Sequence, residues 1–270
     1  MPKIRLDILV HQRGLFDSRE KVKAVIMSGA VYVDGVRALK PGAMVDEQTN
    51  VEIRGGGLPY VSRGGFKLEK ALDEFEVSPD GLVCIDCGAS TGGFTDCLLQ
   101  RGAKKVYSVD VGYGQFDWRL RNDPRVILME RTNVRYLKGE DFEERMDLAV
   151  VDVSFISLKL VLPALRSILK DDGEVLCLIK PQFEAGREQV GKKGVIRDPA
   201  VHRQVLGAFI SNSRNAGFSV DAITYSPIKG PEGNIEFLGH LKTEDNFVLD
   251  VDVNGIVFEA HRAVGTNTGK

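Results

Sequence analysis

Tryptophan occurs once and cysteine four times in 270 residues, and the formal net charge is only −2. No apolar run approaches the ~20 residues that span a bilayer, and Met1-Pro2-Lys3-Ile4-Arg5 lacks the apolar core of a secretory leader. The expectation is therefore a cytoplasmic protein with no membrane partner. Cys84 and Cys87 form one C-x-x-C, but no second pair exists and the four histidines are scattered. Buried free thiols are expected, and no metal. Near-neutral charge removes any global argument for nucleic acid, so local charge has to carry it. The glycine-rich phosphate loops are missing too, both G-x-G-x-x-G and the P-loop with its lysine. What is present is 43% hydrophobic content, enough for one large domain and a small one.

The chain is organised around Leu82-Val83-Cys84-Ile85-Asp86-Cys87-Gly88-Ala89-Ser90-Thr91-Gly92-Gly93-Phe94. An apolar run, an acid and a glycine-rich turn lead into residues 95–100, which reads as a strand feeding a helix through a tight loop. Asp86 places a carboxylate at the strand's carboxyl end, where a pyrophosphate is repelled and a cationic ligand is favoured. S-adenosylmethionine fits, with an adenosine, an ammonium, a sulfonium and no phosphate. Asp110 ends the next apolar run, about 20 residues on, where a carboxylate can chelate ribose hydroxyls. The loop alone leaves open a generic doubly wound domain with a tight turn.

Upstream, residues 4–12 and 18–27 show helical spacing, with Ser18 as N-cap. Val31-Tyr32-Val33, Asp34-Gly35 and Val36 read as a strand and hairpin turn, and Val51-Glu52-Ile53 as a further strand. Lys3, Arg5, Arg13, Arg19, Lys21, Lys23, Arg37 and Lys40 give this unit a basic face, or else ordinary solvated helix charges. Arg5-Leu6-Asp7, Ser18-Arg19-Glu20-Lys21 and Ile26 to Gly35 closely resemble the small RNA-binding module called the alpha-L motif, named after a small-subunit ribosomal protein. The resemblance implies two basic helices tracking RNA backbone. The domains are expected at 1–55 for this module, 56–61 for a Gly- and Pro-containing linker, 62–242 for the large domain and 243–270 for a C-terminal extension.

In the large domain a helix opens at Ser62, and strands are expected at 126–129, 148–153, 175–179, 219–224 and 235–241. Helices are expected at 139–144, 158–169 and 198–216, the last with Asp198 as N-cap and Pro199 in its first turn. Strands alternating with helices imply a parallel, doubly wound α/β sheet, with the last two strands free to pair antiparallel. Residues 247–249 and 255–258 suggest a small terminal hairpin. Ligands in such sheets bind beyond the carboxyl ends of the strands, where Asp152, Lys180 and Glu236 put ionisable groups.

Here the sequence looks like the TlyA family, an FtsJ-like branch of RNA ribose 2′-O-methyltransferases fused to the alpha-L module. The matching stretches are residues 60–65, 86–94, 109–115, 131–135, 151–158, 180–186 and 233–236. The resemblance implies a Rossmann-like class I methyltransferase sheet behind a small N-terminal α+β RNA-binding domain, acting on ribosomal RNA or ribosomal subunits. The family's Lys-Asp-Lys-Glu tetrad falls on Lys67, Asp152, Lys180 and Glu236, with Lys70 one helical turn from Lys67. By the same resemblance S-adenosylmethionine meets Asp86, Gly88, Ser90 and Gly92 at its methionine end, Asp110 at the ribose and Asn133 at the adenine edge. Thr91, Gly93, Phe94, Val111 and Gly112 lie alongside, and Arg63 joins the RNA-contacting residues. Residues 58–61 carry no tryptophan where some members have one. Phe183 to Arg197, with Lys192 and Lys193, suggests a long mobile loop that closes over RNA, or a plain solvated loop. Two other readings stand beside the enzyme: a membrane-lytic protein, since members often carry a hemolysin label, and an RNA-binding protein with an inactive methyltransferase domain.

Overall fold

The computed structural model describes residues 3–16, 18–27, 29–38, 40–53, 59–191, 194–243 and 251–265. The chain divides into two compact units, Met1–Arg63 and Gly64–Lys270.

The first unit holds β1 (Lys3–Arg5), α1 (Leu6–Gln12), α2 (Arg19–Met27), β2 (Val31–Val33), β3 (Val36–Arg37), β4 (Met44–Asp46) and β5 (Val51–Ile53). Leu6, Val10, Val22, Val25 and Ile26 turn one stripe of each helix onto Val31 and form its core. Each such side chain contributes roughly 1.5–3 kcal/mol on burial. The Ser18 Oγ accepts from Lys21 N at 3.3 Å and caps α2. Asp34 and Gly35 both adopt positive φ, 49° and 79°, which lets β2 turn directly into β3. The first helix starts at Leu6 and not at Ile4, because Lys3–Arg5 pairs antiparallel with Met44–Asp46. Helical spacing read locally carries no signal for that distant partner.

The second unit opens with α3 (Gly64–Glu74) and continues as β6 (Val83–Cys87), α4 (Gly93–Gln100), β7 (Lys105–Val109), α5 (Trp118–Arg121), β8 (Val126–Met129), β9 (Met146–Val151), α6 (Leu158–Ile168), β10 (Leu169–Ile179), α7 (Pro181–Glu184), α8 (Pro199–Asn215), β11 (Ser219–Tyr225), β12 (Phe237–Lys242) and α9 (Val253–Ala260). Its seven strands lie in the order β11-β12-β10-β9-β6-β7-β8. The pairs from β10 to β8 are parallel, and β12 runs antiparallel to both neighbours. Strands covered on both faces need apolar residues throughout, and β6 is buried at all five positions. Leu158, Val161, Leu162, Leu165 and Ile168 give α6 the complementary stripe. Asp198 caps α8 by accepting from Ala200 N at 2.8 Å, with Pro199 at its first position.

Two expected elements are corrected. Residues 139–144 form only a 3₁₀ turn, Gly139–Asp141, whose acidic side chains supply no apolar stripe. Residues 255–258 belong to α9 and not to a hairpin strand. The Asp252 Oδ1 accepts from Gly255 N at 2.9 Å to start that helix, and Val257 and Ala260 sink into the main core. The hairpin's other half, 247–249, lies outside the described residues.

Candidate active site

The carboxyl ends of β6, β7, β9 and β10 meet the head of β12 at one edge of the sheet. The loop after β6 is bent by left-handed residues, and two of them must be glycine. A Cβ on Gly88 (φ +90°) would fall 2.6 Å from the Asp152 carbonyl oxygen, so this loop meets the end of β9 backbone to backbone. A Cβ on Gly92 (φ +97°) would fall 2.5 Å from Leu120. Beside the loop lies a cavity of about 600 Å³, within the usual range for small-molecule sites.

Gly88, Ser90, Asp110, Val111 and Asn133 line that cavity. Asp110 is held by three donors: Ser90 N on Oδ2 at 2.8 Å, and Gly112 N at 2.6 Å with Gln115 Nε2 at 3.2 Å on Oδ1. Asn133 Oδ1 accepts from Arg135 N at 3.0 Å, closing an Asx turn at the cavity wall. Thr91 is exposed beside the loop, whereas Gly92, Gly93 and Phe94 are buried where it enters α4. Gly112 acts through its amide on Asp110.

Asp86 is not on the wall. Val83, Ile85 and Cys87 face the main core, so the pleat turns Asp86 the other way, beneath the first turn of α4. There its Oδ2 accepts from Thr95 N at 2.9 Å and Thr95 Oγ1 at 2.7 Å. Its Oδ1 has no hydrogen-bond partner among the described residues. Burial pushes the Asp86 carboxyl up to about 7, with the Thr95 hydroxyl opposing.

Two ion pairs stand at the same edge. Cys177 pairs with Val151 and Ile179 with Phe237, so Asp152, Lys180 and Glu236 leave three adjacent strands together. Lys180 Nζ lies 2.6 Å from Asp152 Oδ1 and donates to Ser154 Oγ at 2.8 Å. Lys67 Nζ, from α3, lies 2.6 Å from Glu236 Oε2, and Lys67, Lys180 and Glu236 are all buried. Lys70 faces elsewhere: it donates to the Tyr225 carbonyl at 2.7 Å, sits 3.6 Å from that ring's centre, and pairs with Glu74. The helix therefore gives Lys67 and not Lys70 to Glu236. Buried ion pairs repay their desolvation poorly, so two at one rim point to chemistry more than to stability.

Phe155 has no counterpart among the residues singled out from sequence. Its φ of +63° throws the ring 91% into solvent at the cavity wall, against Phe183 at 5.0 Å between ring centres. A bulky residue with that backbone is strained, and such strain gathers at functional sites.

In the first unit Asp7 is fully buried and clamps two arginines. Arg5 Nε lies 2.9 Å from its Oδ1 and Arg19 Nη2 2.9 Å from its Oδ2. The Arg5 hydrogen bond leads in holding the Asp7 carboxyl down to about 2, against the cost of burial. Lys3 and Lys21 are exposed and Lys23 is half-buried. Arg13 is exposed and donates to the Glu47 and Thr49 carbonyls at 2.8 and 2.9 Å, and Arg63 lies 3.9 Å from Met27 Sδ. Lys192 and Lys193 lie outside the described residues. The described part of their loop is tied down: Asn234 Nδ2 donates to the Gly194 carbonyl at 2.8 Å and its Oδ1 accepts from Ile196 N at 2.9 Å.

Residues 60–243 match the FtsJ-like methyltransferase model, and residues 4–51 match the S4 domain. The chain belongs to the FtsJ-like methyltransferase family. Within that family it is a TlyA-type enzyme. A 51% identical relative from Bacillus subtilis, YqxC, provisionally named an rRNA methyltransferase, covers 97% of this chain, which covers 95% of it. The 16S/23S rRNA (cytidine-2′-O)-methyltransferase TlyA of Mycobacterium tuberculosis is 42% identical over 263 residues, 97% of either chain. A solved protein of Streptococcus thermophilus, provisionally called a hemolysin, is 49% identical, with a TM-score of 0.76 over 99% of this chain and 98% of that one. Among the described residues, no helix of this FtsJ-like enzyme is long and apolar enough to cross a membrane.

Proposed function

We propose that this FtsJ-like enzyme methylates a ribose 2′-hydroxyl of ribosomal RNA in the cytoplasm, with S-adenosylmethionine held in the cavity beside Lys180. The observation that carries this reading is the Lys180–Asp152 pair, 2.6 Å apart, at the edge of a cavity whose wall includes Asp152 and Asp110. The cytidine 2′-O-methyltransferase name of the Mycobacterium tuberculosis relative supports the ribose substrate.

The donor site fits a cationic, phosphate-free nucleoside. Asp110 would take the ribose hydroxyls, Gly88 and Ser90 the amino-acid end, and Asn133 the adenine edge, while Asp86 holds the loop from below through Thr95. When bound, S-adenosylmethionine supplies an electrophilic methyl group.

The chain's own groups do the rest. A ribose hydroxyl ionises far above neutral pH, so its oxygen needs a base or a positive neighbour as it attacks. Lys180 fills that role, and Asp152 and Ser154 fix its ammonium. Lys67 adds a second positive charge, which Glu236 holds. Phe155 offers a flat face on which an unstacked base can rest, as single-stranded RNA recognition requires. Arg5 and Arg19, preset by Asp7, bind phosphates, and Lys192 and Lys193 supply positive charge for RNA in the sequence after Lys180.

The test is methylation of ribosomal subunits by Lys180→Ala, with cofactor affinity measured by calorimetry. Wild-type turnover in a variant that binds cofactor and RNA normally would remove Lys180 from the mechanism. Reversing the charge of Lys192 and Lys193 should weaken RNA binding and flatten its salt dependence; an unchanged slope would remove the loop's role. The hemolysin name of the Streptococcus relative is met by dye leakage from liposomes with and without S-adenosylmethionine.

A further inference from the structure

Glu184 is a half-buried carboxylate of the second unit with no part in the chemistry above. It ends α7, the single helical turn that begins right after Lys180. Its Oε2 accepts from Ser157 Oγ at 2.7 Å and its Oε1 from Leu158 N at 2.8 Å. Ser157 is the N-cap of α6, accepting from Lys159 N at 3.2 Å, so a carboxylate from a different loop completes that helix start. Burial pushes the Glu184 carboxyl up and the Leu158 amide opposes it. For stability alone Ser157 already caps the helix, so the second, half-buried acid needs another explanation.

The two loops it joins are the ones that carry the reacting groups. The 152–157 loop starts at Asp152 and ends at Ser157, and the 180–184 turn starts at Lys180 and ends at Glu184. They are fastened at both ends: Lys180 to Asp152 and Ser154 at one, Glu184 to Ser157 and Leu158 at the other. Between the fastenings, Phe155 meets Phe183. With only the Lys180 fastening, each loop can pivot about it, and Phe155 can relax from its left-handed backbone.

We propose that Glu184 is a positioning residue, a latch that holds the Lys180–Asp152 pair and the Phe155 ring in one fixed arrangement at the cavity mouth. This rests on the assignment of Lys180 and Asp152 to ribose methylation. The latch acts on the rate of transfer: Gly88, Ser90 and Asp110 of the donor site stand on the β6 and β7 loops, outside the fastened pair, while residues 152–156 complete the cavity wall.

Glu184→Ala and Glu184→Gln are compared with wild type for methylation of ribosomal subunits and for S-adenosylmethionine affinity. Glutamine keeps the acceptor for Leu158 N and turns its amide to a hydroxyl that can also accept. For Glu184→Ala, kcat should fall about tenfold to a hundredfold, more than KM rises, with cofactor affinity within about threefold of wild type. Glu184→Gln should recover kcat to within about threefold of wild type. The latch is overturned if Glu184→Ala turns over at the wild-type rate, if glutamine is no better than alanine, or if cofactor binding is lost in parallel, which makes Glu184 a general support of the cavity wall and not a latch on the reacting pair. A wild-type protein that binds cofactor yet leaves ribose unmethylated overturns the underlying assignment, and the latch with it.

Discussion

The two ends of the large sheet carry similar charges and differ in what surrounds them. At the amino end of the parallel strands, a cavity of about 290 Å³ is lined by His240, Glu174 and Asp147. His240 lies 2.6 Å from Glu174 and 3.1 Å from Asp221, Phe75 stacks on it at 5.5 Å, and Asp147 accepts from Val83 N at 2.8 Å. Each of these polar contacts fastens one strand to its neighbour. At the carboxyl end, Lys180–Asp152 and Lys67–Glu236 also cross between elements. There, however, the ion pairs sit beside a larger cavity, two glycines forced by close approach, and an exposed phenylalanine on a left-handed backbone. Ion pairs alone do not separate a structural cluster from an active one; the strained backbone and the open aromatic beside them do.

That contrast is easiest to break at Lys180 and His240. Lys180→Ala should lower methyl transfer on the order of 10²- to 10⁴-fold. His240→Ala should leave the rate near wild type and cost about 1–3 kcal/mol of stability, read from denaturant unfolding. If His240→Ala stops transfer without loss of stability, the amino end is not merely structural. A smaller effect is expected at the loop itself: Gly88→Ala should weaken S-adenosylmethionine binding by at least about tenfold, because the added carbon meets the Asp152 carbonyl and a positive φ. In the first unit, Asp7→Ala should reduce RNA affinity by about tenfold through loss of the preset Arg5 and Arg19, while the cofactor titration stays unchanged.

The smallest effect is in pH. Burial holds His202 neutral and down to about 4, where its Nδ1 meets His261 Nε2 of the C-terminal segment at 2.9 Å. A histidine depressed in the folded state takes up its proton more readily when unfolded. Stability should therefore fall as pH drops from about 6.5 toward about 4. His202→Gln should narrow that loss in thermal melts at pH 7 and pH 5; identical melts of both proteins at each pH would remove His202 as its source.

Much of the sheet was readable because strands covered on both faces must be apolar throughout, as in Leu148 to Val151. Asp152, Lys180 and Glu236 were readable for the converse reason: each breaks or borders such a run where a sheet has no need of charge. What stayed hidden depends on the third dimension. The choice of Lys67 over Lys70 is a matter of which helix face meets β12, and Asp86 turns from the cavity because of the pleat of β6. The strand at Lys3–Arg5 exists only through Met44–Asp46. Phe155 declares itself through a backbone angle, and Glu184 through a helix that begins in another loop.

The most direct measurement incubates ribosomal subunits with labelled S-adenosylmethionine and maps the modified position in wild type and in Lys180→Ala. A label on a ribose 2′-oxygen with wild type, and none with the variant although it still binds cofactor, is the expected result. A label on a base, or equal ribose labelling by both proteins, would contradict the assignment of the carboxyl-end cluster.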